Sequence, residues 1–147
     1  MPRRHRIHLD GVPIHIVQRG HNRQPCFFAE DDYWSYLSWL GEALIESDCA
    51  LHAYVLMTNH VHLLLTPKRA AAVPGLVISL GRRYVQYINR SYRRTGTLWD
   101  LAVSSLKCNT GDLIEFKLRE HFKGCLIAEY FSRTVVECVL DGGQFLL

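Results

Sequence analysis

"MTNHVHLLLTP", residues 57–67, places two histidines one residue apart at the head of an apolar run. Side chains at i and i+2 of a strand point to the same face, so His60 and His62 project together while Val61 turns the other way, into a core. The preceding "CALHAYVLM", residues 49–57, also reads as a strand, and Thr58-Asn59 is a plausible tight connection between the two. The expectation is a β-hairpin whose second strand ends at Pro67. Two imidazoles on one strand face can converge on one ion or one phosphate. The alternative is that they simply occupy a half-exposed sheet face, because a lone His-x-His pair lacks the four-ligand spacing of a zinc site.

Outward from this hairpin, "IHIVQRG", residues 14–20, alternates apolar and polar residues and reads as a strand ending at Gly20, followed by the loop-like "HNRQPCF". Residues 30–48 have helical spacing at Tyr33, Trp34, Leu37, Leu40, Leu44 and Ile45, with acidic residues in the first turn, where the helix dipole favours them. After Pro74, residues 75–94 carry a second stripe at Leu76, Ile78, Leu80, Tyr84, Tyr87 and Ile88, weakened by about 1 kcal/mol at Gly81. The order strand, helix, strand, strand, helix predicts an α+β fold with helices on one face of an antiparallel sheet.

The chain has 147 residues, 48% hydrophobic and 21% charged, which predicts one domain with a substantial core. No stretch reaches the roughly 18 apolar residues of a membrane span. The charged "MPRRHRIHLDG" start lacks an apolar signal region, and cytoplasmic localisation is expected. The five cysteines show no CxxC pair and are expected to be reduced thiols. The net charge is +3, but residues 1–100 hold 12 Lys/Arg against 8 Asp/Glu, and residues 101–147 hold 5 against 6. That asymmetry favours an anionic partner bound by the first two thirds of the chain.

The basic segment "RRYVQYINRSYRR", residues 82–94, has five arginines and no acid. Arg82, Arg83, Arg90, Arg93 and Arg94 are candidate phosphate contacts, and the interleaved Tyr84, Tyr87 and Tyr92 could stack on unpaired bases. The competing reading is a solvated helix whose tyrosines pack on the sheet.

"AYVLMTNHVHLLLTP" resembles the HUH motif of the IS200-like, single-tyrosine transposases, and more specifically their REP-associated branch. "PIHIVQRGHNRQPCFF", the acidic start of the first helix and "YVQYINRSYRRTGTLWD" are similar to the same family, so the likeness covers about residues 10–100. The resemblance implies a ferredoxin-like α+β fold with the HUH motif on a central strand. It further implies a homodimer that cleaves and rejoins single-stranded or hairpin DNA, with no membrane association. His60 and His62 would bind a divalent ion, magnesium or manganese, and a tyrosine would attack the scissile phosphate and join the DNA 5′ end. Arg19, in "QRG", would also face DNA. Nitrogen ligands are atypical for magnesium, so manganese or an additional oxygen ligand fits more comfortably.

Beyond Asp100 the likeness ends. Residues 101–147 match neither the family's Gly-Arg-aromatic-Lys-Ser run nor its tyrosine helix, and a shifted reading frame would account for the divergence. A helix over "FKLREHF" and a strand over "RTVVECVL" are still expected there. Tyr130 is the remaining candidate nucleophile, although Thr134 stands where the family has asparagine. Three functions follow: a metal-dependent transposase of single-stranded DNA, a degenerate relative that binds DNA without cutting it, or an unrelated metal-binding protein using His60, His62 and His52.

Overall fold

The structure, a computed structural model, describes residues 9–100 and the strand backbones at 104–107, 128–130 and 135–139. In chain order the elements are β1 (Ile14–Arg19), a 3-10 turn (His21–Arg23), α1 (Glu30–Glu46), β2 (Cys49–Met57), β3 (His60–Pro67), α2 (Ala72–Ser91), β4 (Ser104–Lys107), β5 (Ala128–Tyr130) and β6 (Val135–Val139). One sheet has the order β4-β1-β3-β2-β6-β5. Its first four strands follow the ferredoxin-like βαββαβ arrangement, with β3 pairing antiparallel to both β1 and β2. The α+β class expected from sequence is what the structure shows. The β5–β6 hairpin extends the sheet beyond that plan, and β6 runs parallel to β2. The strand expected over "RTVVECVL" is present as β6, whereas the helix expected over "FKLREHF" lies outside the described residues.

Alternation along the strands sorts the sheet into two faces. Ile14, Ile16, Val61, Leu63, Leu65, Tyr54 and Leu56 pack with residues of both helices in one buried cluster. His15, Val17, His60, His62, Leu64 and Val55 fall on the opposite face, as the registers Val17↔His62, His15↔Leu64 and Val55↔His62 require. Val61 is fully buried, as its strand position predicts.

The helix stripes differ in part from the sequence reading. On α1 the buried line is Asp32, Tyr36, Leu40 and Ala43, while Trp34 is 50% and Ile45 83% exposed. Tyr36 belongs to the core that the apolar pattern assigned to Trp34, because aromatic residues appear on both sides of the helix. On α2, Ile78 is exposed and Val73, Leu76, Leu80, Tyr84 and Ile88 are buried. This helix begins at Ala72, before Pro74, which its first turn accommodates since no intrahelical N–H partner is required there. Gly81 lies where α2 approaches Gln18 and the Trp99 ring; an added Cβ would be 3.6 Å from Gln18 Nε2, an ordinary contact.

The helix α2 ends at Ser91 rather than at Arg94. Arg93 adopts a left-handed conformation (φ 51°) and the Arg94 amide donates to the Asn89 carbonyl at 2.9 Å. That is a Schellman stop with arginine where glycine is usual.

Asp32 ties the start of α1 to the end of α2. It is fully buried. Its Oδ2 accepts from the amides of Phe28 (2.8 Å) and Ala29 (2.9 Å) and from the Tyr92 hydroxyl (2.8 Å), and its Oδ1 accepts from the Tyr87 hydroxyl at 2.9 Å. Loss of solvent and then the bond to Asp32 push the Tyr92 phenol up to about 12. A raised folded-state pKa means this stabilisation is complete below the unfolded phenol value near 10 and is lost as pH rises towards 12. Asp32→Ala is expected to cost about 2–4 kcal/mol in urea unfolding, because four donors lose their acceptor at once. Asp32→Asn, which keeps one oxygen, should cost less; a wild-type midpoint for the alanine variant would remove Asp32 from this role.

Candidate metal and DNA site

The turn between β2 and β3 is held from outside. The Thr58 carbonyl accepts from the amides of Cys26 (2.7 Å) and Phe27 (3.2 Å), and the Asn59 carbonyl accepts from the Gly20 amide at 2.7 Å. The loop after β1 therefore grips the two residues that precede His60. Cys26 and Cys49 are free thiols. The Cys26 thiol contacts the Thr58 carbonyl at 3.3 Å, and burial pushes its pKa up to about 12, which keeps it protonated and unreactive.

His60 and His62 come together as their spacing predicts. Their ring centroids are 4.9 Å apart with planes at 68°. His60 Nδ1 lies 2.6 Å from Asn59 Oδ1, so Nδ1 carries the proton and donates, leaving the Nε2 lone pair as the one that could ligate. His62 is 7% exposed and its Nδ1 lies 2.9 Å from His15 Nε2, with the two rings stacked at 5.1 Å and 13°. With His62 as donor in that bond, its Nε2 is likewise the atom that could ligate. Hydrogen bonding at one imidazole nitrogen commonly orients the other toward a metal. The buried Val55 and Leu64 share this sheet face, so polar interactions at His62 are poorly screened by water.

His15 was missed by the sequence reading. The signal was available: His15 occupies an outward position in the β1 alternation, and antiparallel pairing with β3 places it diagonally from His62. His52 occupies a β-bulge in β2 and its Nε2 meets Thr66 Oγ1 at 2.6 Å, away from the histidine pair. Burial lowers its pKa. Among the described residues, no group of three or more His, Cys, Asp or Glu side chains is placed to hold a metal. The donor set at His60 and His62 fits two ligands of a divalent ion, with further positions to be filled by other oxygen groups.

The arginines divide. Arg19 pairs across the sheet with His60 and is exposed. Arg82 and Arg90 are exposed on α2, which packs on the sheet face opposite the histidines. Arg83 forms a 2.6 Å ion pair with Glu42 of α1 and its guanidinium sits 5.6 Å from the Trp39 ring. Arg93 and Arg94 follow the helix end rather than lie on it. Tyr84 is fully buried, its hydroxyl donating to the Cys26 carbonyl at 2.8 Å, so packing rather than base stacking is its role. Tyr87 and Tyr92 donate to Asp32. Tyr130 is at the end of edge strand β5, three strands from β3 and thus about 14 Å across the sheet.

Gly20 has an extended backbone, so its role is proximity: a Cβ there would overlap the Gln24 carbonyl oxygen and come within 3.2 Å of the Asn59 carbonyl. Gly20→Ala is expected to lower stability by about 1–3 kcal/mol in chemical denaturation and to disturb the His60 imidazole signals in NMR spectra. Unchanged stability together with unchanged His60 signals would show that the loop does not fix the turn.

The sequence profile of the family described as "Transposase IS200 like" matches residues 9–113, extending past the point where the motif likeness ended. Among solved structures, a REP-associated tyrosine transposase bound to a REP hairpin superposes with a TM-score of 0.70 at 10% identity, over 84% of this chain and 72% of that one. A protein from Deinococcus radiodurans R1 described as a transposase gives a TM-score of 0.54 at 17% identity, over 84% of this chain and 97% of that one. No curated protein matches the sequence. The profile match spans most of the chain, and the chain belongs to the IS200-like transposase family.

Proposed function

We propose that this chain is a transposase-type protein that binds single-stranded or hairpin DNA and holds a divalent ion, magnesium or manganese, at His60 and His62. The observation that carries this reading is the paired imidazoles: side by side on a strand, both hydrogen-bonded at Nδ1, in a member of this family. Its structural neighbour was solved with a REP hairpin, which supports hairpin DNA as the partner. A bound divalent ion would withdraw charge from a phosphate oxygen and orient the phosphate for attack. The chain's own part is to fix the two imidazoles through Asn59 and His15, to set Arg19 beside them for a phosphate oxygen, and to supply positive charge at Arg82, Arg90, Arg93 and Arg94. A homodimer in the cytoplasm belongs to the same reading. No helix among the described residues is long and apolar enough to cross a membrane.

Strand cleavage requires a nucleophile within about 3–3.5 Å of the phosphorus. Tyr130 is the candidate, and its place on an edge strand favours the second reading, a relative that binds DNA and has lost the chemistry. Incubation with a labelled hairpin and manganese, followed by a denaturing gel, separates the two. The second reading expects bound hairpin and no covalent adduct; an adduct abolished by Tyr130→Phe would establish the first.

Manganese titrated into the protein in a calorimeter is expected to give saturable binding that His60→Ala and His62→Ala each weaken, and that His15→Ala or Asn59→Ala weakens about 10- to 100-fold by removing a supporting contact. Equal binding by the double variant would eliminate the site. Neutralising Arg82, Arg83, Arg90, Arg93 and Arg94 together should flatten the salt dependence of hairpin binding by about 0.7 per lost phosphate contact. Arg83 should contribute least, being paired with Glu42.

A further inference from the structure

An exposed aromatic surface lies where α1 begins and α2 ends. Phe28 is 45% and Tyr92 38% exposed, and their ring centroids are 4.8 Å apart with planes at 43°. Neither residue is loosely held: the Phe28 amide and the Tyr92 hydroxyl each donate to Asp32 Oδ2 at 2.8 Å. The Arg94 guanidinium sits 5.7 Å from the Phe28 ring centroid.

Arg93 adds an independent sign. It occupies the left-handed position that ends α2, with φ 51°. A residue with a Cβ is disfavoured there relative to glycine, and Arg93 shares this conformation with Asn22, Arg23 and Asp48. Unfavourable backbone positions of this kind gather at functional sites.

The surface is also at the histidine end of the sheet. The Cys26 and Phe27 amides bond to the Thr58 carbonyl, so Phe28 directly follows the residues that grip the turn leading into His60. The aromatic surface and the His60 turn thus share one end of the sheet.

We propose that Phe28 and Tyr92 form a stacking platform for an unpaired nucleobase, with Arg93 and Arg94 meeting the phosphates beside it. This rests on the DNA reading above. Aromatic faces accept any base, whereas guanidinium groups at their margin select an anionic strand, so single-stranded nucleic acid suits the combination. The Tyr92 ring, held at its hydroxyl, needs little ordering on binding.

The test uses a hairpin with an unpaired flank, a second hairpin whose flank is abasic, and fluorescence anisotropy on the full chain. Phe28→Ala keeps the backbone amide bonded to Asp32 and is expected to weaken binding to the first hairpin about tenfold. On the abasic hairpin, Phe28→Ala and wild type should bind equally. Phe28→Trp should retain affinity and show additional tryptophan quenching only with the base-bearing flank. Arg93→Gly should lower the salt slope by about 0.7 while raising the thermal midpoint. Wild-type affinity in Phe28→Ala on the base-bearing hairpin, or an equal loss on both hairpins, overturns the platform while leaving the DNA reading intact. A wild-type protein with no affinity for either hairpin overturns both. Altered self-association in Phe28→Ala with unchanged DNA affinity would assign the surface to a protein contact and overturn the proposal.

Discussion

The 2.7 Å hydrogen bond from the Gly20 amide to the Asn59 carbonyl governs the geometry of everything around the histidines. It brings the end of β1 against the β2–β3 turn, while a Cβ on Gly20 would overlap the Gln24 carbonyl oxygen of its own loop. Cys26 and Phe27 close on Thr58 from the same loop, and Gly20 also bridges to Trp99. The segments after β1, between β2 and β3, and after α2 thus meet at one end of the sheet. His60 leaves that junction with its imidazole already bonded to Asn59. Moving any one of the three segments would move the first candidate ligand.

Strand alternation then imposes a division of labour. Val61, Leu63 and Leu65 bury themselves beneath the helices, which obliges His60 and His62 to face the other side. The arginines of α2 are therefore not neighbours of the histidines, though the sequence presents both as DNA-facing features. What joins the two faces is the sheet end, where Arg19, the loop through Phe28 and the residues after α2 converge. A bound strand would use that end, with the histidines on one side and the exposed aromatic pair on the other. If the chain binds DNA as proposed, long-range attraction from Arg82 and Arg90 would raise the encounter rate without contact at the histidine face.

Much of this was legible in the sequence because the fold rests on local periodicity. The hairpin boundaries at Cys49–Met57 and His60–Pro67 follow from alternation and a two-residue connection, and both helices follow from their apolar stripes. The face of α1 was less legible, because Trp34 and Tyr36 are both aromatic and only tertiary packing decides that Tyr36 goes inside. The stop of α2 before Arg93 was hidden because the usual glycine signal is absent from the left-handed position. His15 required cross-strand register: its place beside His62 is set by the pairing of residues 47 positions apart. Asp32 looked like an ordinary helix-dipole acid, and its further role depends on two tyrosines from the other helix.

In the proposed site His60 and His62 act together as ligands, with Nδ1 of each committed to a protein contact. Histidine-selective NMR during a substoichiometric manganese titration tests it most directly, because the paramagnetic ion broadens only the nearest resonances. The imidazole signals of His60 and His62 are expected to disappear first and that of His15 to follow through its stacked contact, while His52 persists. Uniform broadening of all histidines, or loss of His52 before the pair, would contradict it.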